Sequence, residues 1–189
     1  MGMAAASRST RWTADRVRAL PDDGNRYEVI DGALFVTPAP SWDHQAAVLA
    51  LAMRLQDYLR ASGAGTVMIA PANVEFDSER MVEPDVFVVP LVEGRRPRRW
   101  EEVGRLLLAV EILSPISAHA DRQVKRRLYQ RERVPEYWVV DVDARLIERW
   151  RPDDTRPEIL DQQLAWQPDP VHASLVIELG RYFTDVLGE

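Results

Sequence analysis

The sequence predicts an α/β domain in which helices pack on a mixed β-sheet, and three observations carry that expectation. Residues 27–31 and 33–37 alternate around an Asp31-Gly32 pair, the two-residue signal of a β-hairpin. Val48, Leu51, Leu55, Tyr58 and Leu59 recur at the spacing of one helix face. Residues 106–113 are almost continuously apolar, as suits a strand covered on both faces. With 189 residues, 46% hydrophobic and 29% charged, the chain is expected to form one globular domain with residues 1–10 disordered.

The elements follow in order. Thr13 is placed to cap a short helix over 11–20. After the hairpin, Pro38-Ala39-Pro40 breaks the sheet, Ser41 caps the long helix, and Ser62-Gly63-Ala64-Gly65 stops it. Gly63-Ala64-Gly65 precedes a strand and lacks the third glycine of a dinucleotide site, so it reads as a helix stop. Strands are expected over 66–70, 74–76 and 85–89, and a loop rich in proline and arginine over 90–100. Ser114-Pro115 ends the apolar run, and Ser117 can cap a helix reaching about residue 131. A second hairpin is expected over 137–141 and 146–150, with Asp141-Val142-Asp143 at its turn, and strands over 164–167 and 175–179.

Charge and composition narrow the function classes. No apolar run approaches the roughly 18 residues of a membrane span. The start of the chain does not read as a secretory signal. The absence of cysteine excludes disulfides and thiolate metal sites, and it fits a reducing, cytoplasmic setting. His44, His119 and His172 are widely separated, with no zinc-enzyme spacing. The net charge of −6 argues against non-specific coating of nucleic acid, yet residues 94–133 hold eleven basic against five acidic residues. That local excess can attract phosphates, although charge runs are usually solvated surface.

Three residues stand out as candidates for chemistry. Lys125 is the single lysine among 24 basic residues, and an ammonium is a compact charge with a tunable pKa where a guanidinium is a fixed fork. Asp85 opens an apolar strand after Pro84, and Glu111 lies within the run that ends at Leu113. A carboxylate in a buried strand must be paired, hydrogen-bonded or bound to a metal. Two acids at the ends of neighbouring strands would suit Mg²⁺, which commonly takes one or two carboxylates and completes its shell with water and phosphate. Asp121 lies one helical turn before Lys125 and could orient it. The competing readings are a leftover solvent-facing cation for Lys125, an acid at a strand edge for Asp85 and a pairing with an arginine for Glu111.

The segments Tyr27-Glu28-Val29-Ile30-Asp31-Gly32, Pro40-Ser41-Trp42-Asp43-His44, Glu83-Pro84-Asp85-Val86, Val110-Glu111-Ile112-Leu113-Ser114-Pro115, Asp121-Arg122-Gln123-Val124-Lys125 and Val134-Pro135-Glu136-Tyr137-Trp138 occur in this order. Together they closely resemble the putative restriction endonuclease family of the PD-(D/E)XK nuclease superfamily. The resemblance implies a restriction-endonuclease-like core, a central mixed β-sheet flanked by helices with an N-terminal β-hairpin. It implies metal-dependent hydrolysis of nucleic-acid phosphodiesters, with DNA as the expected substrate, Mg²⁺ or Mn²⁺ as the expected cofactor and a homodimer as the expected assembly. Carried over by position, Asp85 and Glu111 match the metal-binding acids and Lys125 the lysine that has moved to the following helix. By the same resemblance Glu28 and His44 fall in motif segments near the family's cleft, Glu28 as a candidate outer ligand or base and His44 as a candidate accessory residue. Leu113 stands where the superfamily's usual Glu-x-Lys has its lysine. The alternative from another class is a catalytically inactive binding or regulatory module on the same scaffold.

Overall fold

The computed structural model describes residues 11–189, so the expected disorder of residues 1–10 lies outside the described residues. The first helix, α1 (Ala14–Arg18), is capped by the Thr13 hydroxyl, which accepts from Arg16 N. Strands β1 (Arg26–Ile30) and β2 (Ala33–Thr37) form the predicted hairpin. Asp31 and Gly32 both take left-handed backbone, φ 52° and 79°, as its tight turn requires. The long helix α2 (Trp42–Ser62) starts at Ser41, whose hydroxyl accepts from His44 N at 3.3 Å, and ends on left-handed Gly63. It turns Ala47, Val48, Leu51, Leu55 and Leu59 inward.

Next come β3 (Thr66–Ile69), β4 (Val74–Asp77), β5 (Arg80–Val82), β6 (Val86–Val89) and β7 (Leu108–Ile112). A π-helical segment, Ala120–Lys125, then leads directly into α3 (Arg126–Arg131). The chain ends with β8 (Tyr137–Asp141), β9 (Leu146–Trp150), β10 (Glu158–Leu160), β11 (Gln163–Trp166), β12 (Leu175–Glu178) and α4 (Leu179–Leu187).

The central sheet has the order β10-β9-β8-β7-β6-β3 and is mixed, since β7 and β8 run parallel while the other neighbours are antiparallel. A four-stranded antiparallel sheet, β2-β1-β5-β4, lies beside it, and β11 pairs with β12. Alternation along the strands divides the core in two. Val86, Val88, Val110 and Trp138 meet Leu51 and Leu55 of α2 and Tyr182 and Phe183 of α4. Phe87, Val89, Ala109, Tyr137 and Val139 face Leu128 and Tyr129 of α3 and Ile30 and Val82 of the smaller sheet. Strand β7 is therefore buried throughout, which explains its unbroken apolar sequence.

Three features depart from the sequence expectation. The helix expected from Ser117 as one regular element contains the π-helical stretch. Strands β5 and β10, three residues each, are too short for a periodic signal. The run 175–179 does pair as a strand up to Glu178, but Leu179 opens α4. Leu179, Tyr182, Phe183 and Val186 follow the i, i+3, i+4, i+7 spacing of a buried helix face, which the strand-like start of that run obscured.

Candidate active site

The site grows from the pairing of β6 with β7. Their register sets Val86 opposite Val110, so one further step sets Asp85 opposite Glu111. Both side chains then share the face that looks toward α3 and the smaller sheet. Asp85 is 2% exposed, and its Oδ2 accepts from Ile112 N at 2.8 Å, fastening the carboxylate to β7. Its Oδ1 carries the Arg26 guanidinium at 2.6 Å and His44 Nε2 at 3.3 Å. Burial pushes the Asp85 carboxyl up, but the His44 hydrogen bond and the Arg26 charge outweigh it and hold the group well below the usual carboxylate range.

Glu111 has the opposite balance. Its Oε1 accepts from Lys125 Nζ at 3.0 Å and from the Tyr129 hydroxyl at 3.1 Å. Burial nonetheless pushes its carboxyl well above the ordinary value, against the pull of Lys125 and aided by the charges of Asp85, Asp121 and Glu28. Lys125 Nζ also meets Glu28 Oε2 at 2.8 Å and Asp121 Oδ1 at 3.7 Å. Burial favours loss of the Lys125 proton, and the carboxylates of Glu111, Glu28 and Asp121 overcome it, so the amine is held charged. Helical spacing brings Asp121, Lys125 and Tyr129 to one face, and β1 delivers Glu28, whose Oε1 accepts from Glu83 N at 2.8 Å.

The structure thus brings together all six residues singled out from the sequence, in two touching groups. Asp85 and His44 form one, and Glu111, Lys125, Glu28 and Asp121 the other. Sequence reasoning missed Arg26 and Tyr129. Strand alternation puts Arg26 on the same face as Glu28, and a four-residue step puts Tyr129 over Lys125, so both signals were present. The basic excess over residues 94–133 was expected to attract phosphates, and part of it lies in the arginine-rich loop. That loop follows the end of β6, whereas Asp85 precedes its start, so antiparallel pairing carries Arg95, Arg96, Arg98 and Arg99 to the opposite end of the sheet. Of the basic residues in 94–133, Arg122 does line the cleft, beside Arg18 and Arg26 from outside that segment.

That cleft has a volume of about 1050 Å³ and reaches Asp85, His44 and Arg26. Of these Asp85 offers a hard oxygen ligand suited to a divalent cation of the Mg²⁺ class. The buried cluster adds a reason of its own: the carboxylates of Glu28, Asp85, Glu111 and Asp121 face two permanent cations, Lys125 and Arg26. Asp121 Oδ1 is buried without a hydrogen-bond donor. Among the described residues no three His, Cys, Asp or Glu side chains are grouped to hold a metal by themselves. The residues fit an ion that keeps part of its shell as water and substrate oxygen.

Comparison with known proteins bears on the fold and the family. No curated protein matches the chain. A solved structure described as a putative nuclease of DUF820 from Anabaena variabilis superposes with a TM-score of 0.73 at 21% identity, covering 92% of this chain and 98% of that one. It establishes the restriction-endonuclease-like fold, a central mixed sheet flanked by helices. No helix among the described residues is long and apolar enough to cross a membrane. The family model described as Uma2, putative restriction endonuclease, matches residues 14–182, and the chain belongs to that family.

Proposed function

We propose that this chain is a metal-dependent endonuclease that hydrolyses phosphodiester bonds of DNA. The observation that carries this reading is the placement of Asp85 and Glu111 opposite each other on neighbouring strands with the Lys125 ammonium on Glu111. Asp85 and Glu111 would hold Mg²⁺, with Mn²⁺ as a substitute, and the bound ion would supply Lewis-acid polarisation of a phosphoryl oxygen and a more acidic water. Lys125 contributes a fixed positive charge for the negative charge that develops at the phosphate. Glu28 fixes the ammonium from the other side and ties it to the Glu83 backbone. His44 holds Asp85 in its ionised form, and Asp121 steadies Lys125 from the preceding turn. On this reading the working unit is a cytoplasmic homodimer in which two clefts serve two strands.

The test is cleavage of duplex DNA, single-stranded DNA and RNA with Mg²⁺ or Mn²⁺ by the wild type, Asp85→Asn and Glu111→Gln. Metal-dependent cutting of duplex DNA that both substitutions abolish is the expected result. Full activity in both variants removes the assignment. An inactive binding module is favoured by one observation, that Glu111 and Lys125 are each at most 2% exposed. Such a module would show no Mg²⁺-linked or Mn²⁺-linked stabilisation dependent on Asp85 and Glu111.

A further inference from the structure

The acidic cluster lies beside the cleft: Glu28, Asp121 and Lys125 line a small pocket of about 60 Å³ that shares Thr37, Ile116 and Ser117 with it. Arg26, His44, Glu83 and Asp85 line the cleft, whereas Glu28, Glu111 and Lys125 do not. Arg26 belongs to both regions. Its guanidinium donates to Asp85 Oδ1 at 2.6 Å and to Glu83 O at 3.3 Å, and its Nε is buried with no partner. An ionised carboxylate oxygen offers about two lone-pair positions, and on Asp85 Oδ1 both face donors, Arg26 and His44 Nε2. The other oxygen is anchored to Ile112 N. A divalent ion approaching Asp85 from the cleft therefore meets a permanent positive charge already seated on the oxygen it needs.

We propose that Arg26 is an exchangeable counter-ion: it leaves Asp85 when the divalent cation binds, frees the Asp85 carboxylate for the ion, and moves its guanidinium to a substrate phosphate in the cleft. This rests on the nuclease reading above and adds a positioning residue to it. Three features favour exchange over a purely structural pair. Arg26 lines the cleft and its side chain is 17% exposed, whereas Lys125 does not line the cleft and is 2% exposed. Its Nε forms no hydrogen bond that leaving would break. Finally, Arg26 holds Asp85 through Nη1 alone, and a phosphate can accept from two guanidinium nitrogens at once, so the released side chain has a partner of better matched shape.

Calorimetric titration of Mn²⁺ without nucleic acid, on the full chain as wild type, Arg26→Gln and Arg26→Lys, gives a readout independent of turnover. Arg26→Gln is expected to bind Mn²⁺ roughly tenfold more tightly or better, the change expected when a charge-assisted hydrogen bond no longer competes. Arg26→Lys should remain near the wild type. In cleavage assays Arg26→Gln should raise KM for DNA about tenfold through the lost phosphate contact. Unchanged or weaker Mn²⁺ binding by Arg26→Gln overturns the exchange while leaving the nuclease reading intact, and Mn²⁺ binding to none of the three overturns both. Should Arg26→Gln not fold, a Mn²⁺-soaked crystal of the wild type decides: the proposal requires Asp85 Oδ1 bound to the ion and parted from the guanidinium, and an intact pair beside a bound ion refutes it.

Discussion

Replacing Lys125 by methionine keeps the length and apolar stem of the side chain and deletes its charge, so it isolates what the ammonium does for the fold. Its two close contacts, 2.8 Å to Glu28 and 3.0 Å to Glu111, are each worth about 6 kcal/mol gross at an effective dielectric of about 20. Desolvating the ammonium takes back several kcal/mol, so a net loss of about 3–5 kcal/mol is expected near neutral pH. The loss must depend on pH. Lys125 is raised on folding, so its own titration adds no pH dependence below its ordinary value of 10.5, and the dependence comes from the acids it faces. Glu111 and Asp121 are also raised, and without Lys125 they rise further. A carboxyl raised on folding does no harm while protonated in both states and destabilises increasingly as pH climbs above its unfolded value, 4.5 for Glu111. Urea unfolding should therefore show Lys125→Met losing about 1.5–2.5 M of midpoint at pH ~8, for m near 2 kcal/mol per M, and much less at pH ~4.5. An equal shift at both pH values, or one below about 0.5 M at pH ~8, would refute the view that the ammonium neutralises a strained group of acids.

The remaining predictions concern the same architecture. Tyr129→Phe removes the hydroxyl that donates to Glu111 at 3.1 Å and should cost about 1.5–3 kcal/mol in urea unfolding, less than Lys125→Met at the same neutral pH. Leu51→Ala, at a fully buried position between α2 and the central sheet, should cost about 3–5 kcal/mol by the same measurement. A Cβ at Gly65 would stand 2.6 Å from the Val89 carbonyl, so Gly65→Ala should lower stability by about 1–3 kcal/mol, read as a fall in Tm by calorimetry.

Much of this molecule was legible in the chain because the signals were local. Thr13, Ser41 and Gly63 mark helix ends through hydrogen bonds and backbone angles that nearby residues decide. Asp31-Gly32 fixes the hairpin for the same reason. Asp85 and Glu111 were visible as costs, charges inside apolar strands that had to be compensated somewhere. What compensates them was harder to see. The partners of Asp85 come from β1 and from the first turn of α2, distant segments whose meeting is a property of the tertiary packing. Arg26 was passed over as one of 23 arginines, although its parity with Glu28 placed it on the correct face. The local charge excess was only partly informative, since Arg122 lines the cleft while the loop arginines do not: composition counts charges along the chain, and only strand direction tells at which end of the sheet they emerge. α4 was hidden because its first residue continues an apolar run that begins as β12.

The link from Ile112 N to Asp85 Oδ2 carries a mechanical consequence. At the rim of the ladder between β6 and β7 a side-chain oxygen takes over an amide of the neighbouring strand, so the separation of the two opposing acids is inherited from the spacing of the sheet and not from the mobility of a loop. Thermal fluctuation can swing His44 or Arg26, yet it cannot spread Asp85 from Glu111 without unzipping the most deeply packed strands of the chain. The spacing between those two acids should therefore persist up to the temperature at which the sheet itself comes apart.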